Sequence, residues 1–277
     1  MGKFDGIFFV SDLDGTLLGS NNKISDKNKA TINYFKSEGG IFTVLTGRAK
    51  EGVMPFIDGI EPNAPMGFLN GGVLYDLQDD KNLHVEYVDD EVFEIIDYVH
   101  NKFPKVGIEL ITEGPIYCSR DNEYINLHRQ IAFHPLVECD YKNFTHKIVK
   151  VLFAMSTEEM QAFTDDVGKI YNEEKFVFLK SYHCFMEILP KGASKGNLLL
   201  KLRDILGDRI QYTISVGDND NDVTMIKEAD FGFAVSNATP KAMAVAKYVT
   251  VSNDDDGVAK VIYEIENMIK NKDIILK

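Results

Sequence analysis

Asp12 and Asp14 stand two residues apart in Asp12-Leu13-Asp14-Gly15-Thr16, just after the apolar run Ile7-Phe8-Phe9-Val10. On an extended backbone such residues leave from the same face, so both carboxylates can address one ligand. Brought that close, two like charges repel unless a cation or a shared proton compensates them. A second acidic cluster, Gly217-Asp218-Asn219-Asp220-Asn221-Asp222, closes another apolar run. Thr46, in Thr46-Gly47-Arg48, ends a third run with a hydroxyl, and Lys195 brings an ammonium next to a candidate helix cap, Ser194.

These groups need elements that carry them to one place. Residues 7–10 read as a buried strand halted by Asp and Gly. A helix capped by Ser25 and ended by Gly39-Gly40 follows, then a buried strand over 41–45. Strand, helix, strand implies a right-handed parallel crossover that brings both strand ends to one sheet edge, where ligands bind in open α/β sheets. Residues 68–75 read as a third strand turning tightly into a hairpin. The chain returns to this pattern after Pro190, with a helix carrying Leu198, Leu199, Leu202 and Ile205, strands over 212–216, 231–235 and 248–251, and a closing helix over 258–268.

Between these parts the texture changes. A helix marked by Val92, Ile95, Ile96 and Val99 precedes strand-like runs at 106–111 and 116–119. After an irregular middle, a strand over 149–155 leads to a helix marked by Met160, Phe163, Val167 and Ile170, then strands at 176–179 and 185–189. Helix followed by two strands, occurring twice, suggests an α+β module inserted into the parallel-sheet domain. The expected boundaries are a core of residues 1–80 and 189–277 and an insert of 81–188. All six histidines and all three cysteines lie in the insert.

With 30 basic and 43 acidic residues among 277, the net charge is −13, which argues against nucleic acid and anionic membranes as partners. The cysteines are odd in number and show no C-x-x-C, so neither a disulfide framework nor a zinc cage is suggested. The apolar run at 7–10 is too short for a signal peptide or a spanning helix, and a soluble cytoplasmic protein is expected.

Taken together, the four motifs resemble those of the haloacid dehalogenase superfamily of phosphohydrolases, and the large insert is similar to the type IIB cap of its Cof-type subfamily. Asp12-Leu13-Asp14-Gly15-Thr16 resembles the first motif, Thr46-Gly47-Arg48 the second, Lys195-Gly196 the third, and Gly217-Asp218 with Asn221-Asp222 the fourth. The resemblance implies a Rossmann-like parallel-sheet core with an inserted cap, and a Mg²⁺-dependent phosphatase acting on small phosphate monoesters such as sugar phosphates, working alone or as a homodimer. Asp12 would be the nucleophile and form an aspartyl-phosphate, with Asp14 as acid and then base. Asp12, Asp14 through its backbone carbonyl, Asp218 and Asp222 form the expected metal set. Hard oxygen ligands suit Mg²⁺, and Asp222 and Asn221 fit best as groups orienting that shell. Thr46 and Lys195 would hold phosphate oxygens, with Gly47, Asn70, Gly71 and Asn221 beside them.

Other features have plainer readings. Arg48 reads as a surface salt-bridge partner, and Asn253-Asp254-Asp255-Asp256 as capping residues before the closing helix. The 218–222 cluster imitates a calcium loop but lacks the Gly and the closing Glu of an EF-hand. In the insert, Arg120, His128, Arg129 and His134 are candidates for gripping the substrate beyond its phosphate. A phosphomutase-like transferase would need an arginine-rich cap, yet residues 81–188 contain only Arg120 and Arg129. A non-catalytic ligand-binding regulator would be expected to have lost a motif residue, and all are present.

Overall fold

The computed structural model describes residues 2–276. Ile7, Phe8, Phe9 and Val10 are buried on both sides, as in a strand covered by helices on two faces. They form Gly6–Ser11 (β1), followed by Asp26–Ser37 (α1), Ile41–Val44 (β2), Met66–Phe68 (β3), Val73–Asp76 (β4) and Lys81–Val85 (β5). The insert holds Val92–Lys102 (α2), Gly107–Ile111 (β6), Ile116–Arg120 (β7), Glu123–Ala132 (α3), Val137–Glu138 (β8), Lys150–Ala154 (β9), Thr157–Val167 (α4), Phe176–Tyr182 (β10) and Phe185–Pro190 (β11). Lys195–Leu206 (α5), Ile210–Gly217 (β12), Val223–Glu228 (α6), Phe231–Ala234 (β13), Pro240–Val245 (α7), Tyr248–Val249 (β14) and Gly257–Lys270 (α8) complete the chain.

The core sheet is parallel, in the order β14-β13-β12-β1-β2. Ser11 lies beside both Val44 and Val216, so three strands end level with one another. Ile7, Phe9 and Val216 pack with Phe35 of α1 and Val258, Val261 and Ile262 of α8 on one face. Phe8, Val10 and Leu45 pack with Leu198, Leu199 and Leu202 of α5 and Met225 of α6 on the other.

The strand turning into a hairpin that was expected over 68–75 is present as β3, a tight turn and β4. Leu69 and Asn70 take left-handed backbone angles (φ 54° and 55°), which an extended run cannot contain. The hairpin joins β5 in a separate three-stranded sheet, linked to the core sheet by a bridge between Leu45 and Gly67. Residues 81–85, expected to open the insert, are thus β5 and pair with β4 instead. Among the described residues, no helix is long and apolar enough to cross a membrane.

The insert builds a six-stranded sheet, β10-β11-β9-β6-β7-β8. α2 and α4 cover one face through Ile95, Ile96, Val99 and Phe163, which meet Ile108, Leu110, Val151 and Phe153. The period-two alternation of those strands sends Glu109, Lys150 and Glu187 to the opposite face. That face looks toward the core, and α3 packs there in the stretch expected to be irregular. Its cap is Asn122, whose side-chain oxygen accepts the amides of Tyr124 and Ile125.

Phe163 is fully buried and meets the rings of Phe103, Phe153 and Phe178. Truncation to alanine leaves a cavity between α4 and the second sheet. Phe163→Ala is expected to lower stability by about 3–5 kcal/mol in urea unfolding followed by circular dichroism, and a loss below about 1 kcal/mol would contradict this packing.

Candidate active site

Asp12 is the first residue past β1. Its amide donates to the Val216 carbonyl (2.9 Å) and the Leu45 amide donates to the Ser11 carbonyl (3.0 Å), tying the ends of β12, β1 and β2 together. Gly15 turns the chain at φ 76°, where a Cβ would lie 2.6 Å from an Asp218 carboxylate oxygen. Only glycine lets the first loop approach the fourth this closely. The Thr16 hydroxyl donates to Asp218 Oδ1 at 2.9 Å.

Lys195 opens α5 behind its cap Ser194 and is buried. Its ammonium donates to Asp12 Oδ1 and, at 2.5 Å, to Asp222 Oδ1. The other Asp222 oxygen accepts the backbone amides of Asp218 (2.9 Å) and Asn219 (3.0 Å). Both Asp222 oxygens are therefore engaged in holding the loop and Lys195, an arrangement suited to orienting a metal shell. Carboxylate oxygens of Asp12, Asp218 and Asp222 all lie within 4.8 Å of one another.

One ammonium cannot balance three carboxylates. Burial and the neighbouring Asp222 push the Asp12 carboxyl well above its ordinary range despite Lys195. Burial and Asp222 likewise push Asp218 up to about 6. For Lys195, burial acts downward, but Asp12 and Asp222 outweigh it and its pKa is raised. The missing positive charge, the oxygen-only donors and the buried, unpartnered Asn221 Oδ1 beside them fit a hard dication such as Mg²⁺.

Asp14 is half-exposed, its carboxylate gripped by the Arg48 fork, Nε to Oδ2 at 2.8 Å and Nη2 to Oδ1 at 2.6 Å. Arg48 is not the surface partner expected. Its side chain is about 10% exposed, lies over the Phe56 ring, and donates to the carbonyls of Gly52 (3.2 Å) and of Ile131 on α3 (3.0 Å). Five donors in a rigid fork let one residue join the first loop to the insert.

Thr46 is buried, its amide donating to Gly67 (2.9 Å) and its hydroxyl accepting the Arg48 amide (3.2 Å). At Gly71 (φ 109°) a Cβ would lie 2.3 Å from the Ser194 amide nitrogen, so the hairpin turn seats against the start of α5. Asn70 donates to Glu187 Oε2 (3.0 Å) and accepts from Asn221 Nδ2 (2.8 Å). Lys150 donates to Glu187 Oε1 (2.8 Å) and to the Gly47 carbonyl (3.3 Å).

A cavity of about 370 Å³ lies between the core and the insert. Asp12, Asp14, Gly47, Asn70 and Asn221 line it from the core, while Thr46, Gly71, Lys195, Asp218 and Asp222 lie outside its lining. Of the insert's candidates, His128 lines it. Arg120 turns away to the carbonyls of His100, Phe103 and Val106, and Arg129 bonds Asn126 on its own helix. His134 stands beside buried Glu109, and burial lowers its pKa. Asp256 makes no cap bond to α8 but accepts the Ser25 hydroxyl, while Asp254 accepts the Ser20 amide.

Sequence reasoning missed Glu109, Lys150 and Glu187. Their signal was present: each is a single charge inside an otherwise apolar strand, and all three are buried. Such a charge requires a partner.

Residues 9–262 match the family model of haloacid dehalogenase-like hydrolases. A candidate phosphatase of Streptococcus pyogenes is 28% identical over 261 residues, covering 91% of this chain and 95% of the relative. A 5-amino-6-(5-phospho-D-ribitylamino)uracil phosphatase of Bacillus subtilis is 28% identical over 280 residues, covering 92% and 96%. A haloacid dehalogenase-like hydrolase structure from Bacteroides thetaiotaomicron shares the fold with a TM-score of 0.82 at 24% identity, over 93% of this chain and 98% of that one.

The raised Asp218 pKa makes a stability prediction. The carboxyl titrates at about 6 folded against an ordinary 3.8, so the folded state favours the protonated form. That contribution is full below about pH 4 and is lost as pH rises through about 6. Metal-free Asp218→Asn should match wild type in thermal unfolding near pH 4 and exceed it by on the order of 1–3 kcal/mol at pH 7. A difference that does not change with pH would contradict this.

Proposed function

The chain belongs to the haloacid dehalogenase-like hydrolases, and from that premise we propose that it is a Mg²⁺-dependent phosphatase of small phosphate monoesters. The observation that carries this reading is the buried Asp12–Lys195–Asp222 cluster at the edge of the parallel sheet, with Asp12 opening on a cavity that Asp14 also lines. The names of the Streptococcus and Bacillus relatives support phosphate-ester hydrolysis.

In this reading an Asp12 oxygen attacks phosphorus, the phosphorus–oxygen bond to the leaving group breaks, and Asp14 gives that oxygen its proton. The Asp14 carboxylate then takes a proton from water, whose oxygen attacks phosphorus and releases Asp12 and inorganic phosphate. Lys195 and the Thr46 hydroxyl hold phosphate oxygens. Asp12 and Asp218, oriented by Asp222 and Asn221, would hold Mg²⁺, whose charge would neutralise the phosphoryl oxygens. Arg48 fixes the Asp14 rotamer. Because it also bonds Ile131 on α3, that position depends on the insert sitting against the core, where it excludes water.

The insert's wall of the cavity includes Ile111, Ile116, Ile131, Tyr182 and Phe185. An apolar, aromatic wall of this size suits sugar or polyol phosphates whose far end carries a ring. The basic groups on that side, among the described lining residues, are Lys150, tied to Glu187, and His128, tied to Glu109. Neither is free for a second phosphate, which favours hydrolysis over transfer between sugars.

The test is phosphate release from sugar phosphates, ribityl phosphates, nucleotides and an aryl phosphate. Wild type with Mg²⁺ should turn over at least one ester, chelator and Asp12→Ala should each abolish turnover, and Asp14→Asn should slow it by about 10²–10⁴-fold on alkyl esters. Turnover that survives chelator, or Asp12→Ala within about tenfold of wild type, would overturn the assignment.

A further inference from the structure

Glu109, His128 and His134 form a cluster that the phosphatase reading leaves unused. Glu109 comes from β6, His128 from α3 and His134 from the segment after it. Glu109 is fully buried, and its Oε1 has no hydrogen-bond partner. A buried carboxylate oxygen left so is costly. The atom facing it is His134 Nε2 at 3.5 Å.

The tautomer of His134 sharpens the problem. Its Nδ1 lies 3.0 Å from the Pro135 carbonyl, which can only accept, so Nδ1 carries the proton. In the neutral ring Nε2 is then a lone pair, and it faces Glu109 Oε1, which as a carboxylate oxygen also accepts. His128 Nδ1 completes the triangle, 2.6 Å from Glu109 Oε2 and 3.5 Å from His134 Nε2. Ligand atoms on a tetrahedral ion with bonds of about 2.0–2.1 Å stand about 3.4 Å apart, close to the two 3.5 Å edges. The 2.6 Å contact of His128 Nδ1 with the other Glu109 oxygen is a hydrogen bond that an ion on Nδ1 would replace. The carbonyl behind His134 is the outer partner that ligating histidines commonly have.

We propose that Glu109, His128 and His134 bind a transition-metal dication of the zinc class. Two imidazoles and one carboxylate select such ions over Mg²⁺, which prefers oxygen alone. His128 also lines the cavity that Asp12 opens on, so the site is reached from the substrate side. A metal there binds independently of the carboxylates below.

Equilibrium dialysis of the full chain against Zn²⁺ and Co²⁺ tests this, with an Asp12→Asn, Asp218→Asn background to disable the core site. One equivalent should remain bound, with Co²⁺ giving the visible bands of nitrogen and oxygen ligation. Glu109→Gln and His134→Gln, each added to that background, should weaken binding by about tenfold or more. Far-ultraviolet circular dichroism identifies which of the two variants is folded, and His134→Gln, outside the sheet, serves if Glu109→Gln is not. Absence of stoichiometric Zn²⁺ on the background protein, or affinity unchanged in a folded variant, would overturn the site and leave a proton-bridged polar cluster.

Discussion

Asp12, Asp218 and Asp222 crowd around a single ammonium, Lys195, at the edge of a sheet that water barely reaches. At about 4 Å and an effective dielectric near 20, each like-charge pair costs on the order of 4 kcal/mol. The local backbone serves this arrangement. Level strand ends bring Asp12 and the 218 loop together, Gly15 permits their approach, and the two amides on Asp222 hold its charge in place. The result is a site in which like charges repel unless a cation or proton compensates them. Such a cluster trades stability for chemistry, as active sites commonly do.

The insert repeats the theme with different groups. Its six-stranded sheet has one apolar face, closed by α2 and α4, and one face bearing Glu109, Lys150 and Glu187. Lys150 and Glu187 reach the Gly47 and Asn70 loops of the core, and Arg48 reaches back to α3. These contacts cross between the two sheets and meet the loops that carry the motifs. Breaking one leaves a buried charge unpaired, so the insert's position and the geometry around Asp14 are coupled.

The parallel sheet, the four motif loops and the alternation of the insert were legible because each rests on local pattern: apolar runs with period two, caps such as Ser25 and Ser194, and turn residues at strand ends. α3 was not, because its buried face is narrow, with Ile125 and Ala132 the residues fully covered. Its Asn122 cap is visible only once the helix is suspected. Arg48 and the Lys150–Glu187 pair depend on partners more than 30 residues away, which no local pattern encodes. The hairpin read over 68–75 is present, but what holds its turn was hidden for the same reason, since Asn70 and Gly71 are fixed by Asn221, Glu187 and the start of α5.

In the proposed mechanism the step that singles out Asp12 is its capture of the phosphoryl group as nucleophile. Asp14→Asn with an aryl phosphate isolates it, because an aryl leaving group departs without a proton while water lacks its base. Acid quench during turnover, followed by peptide mass analysis, should find one phosphoryl group on the peptide carrying Asp12. Phenol release in a burst without any modified peptide, or modification of a different residue, would contradict the account.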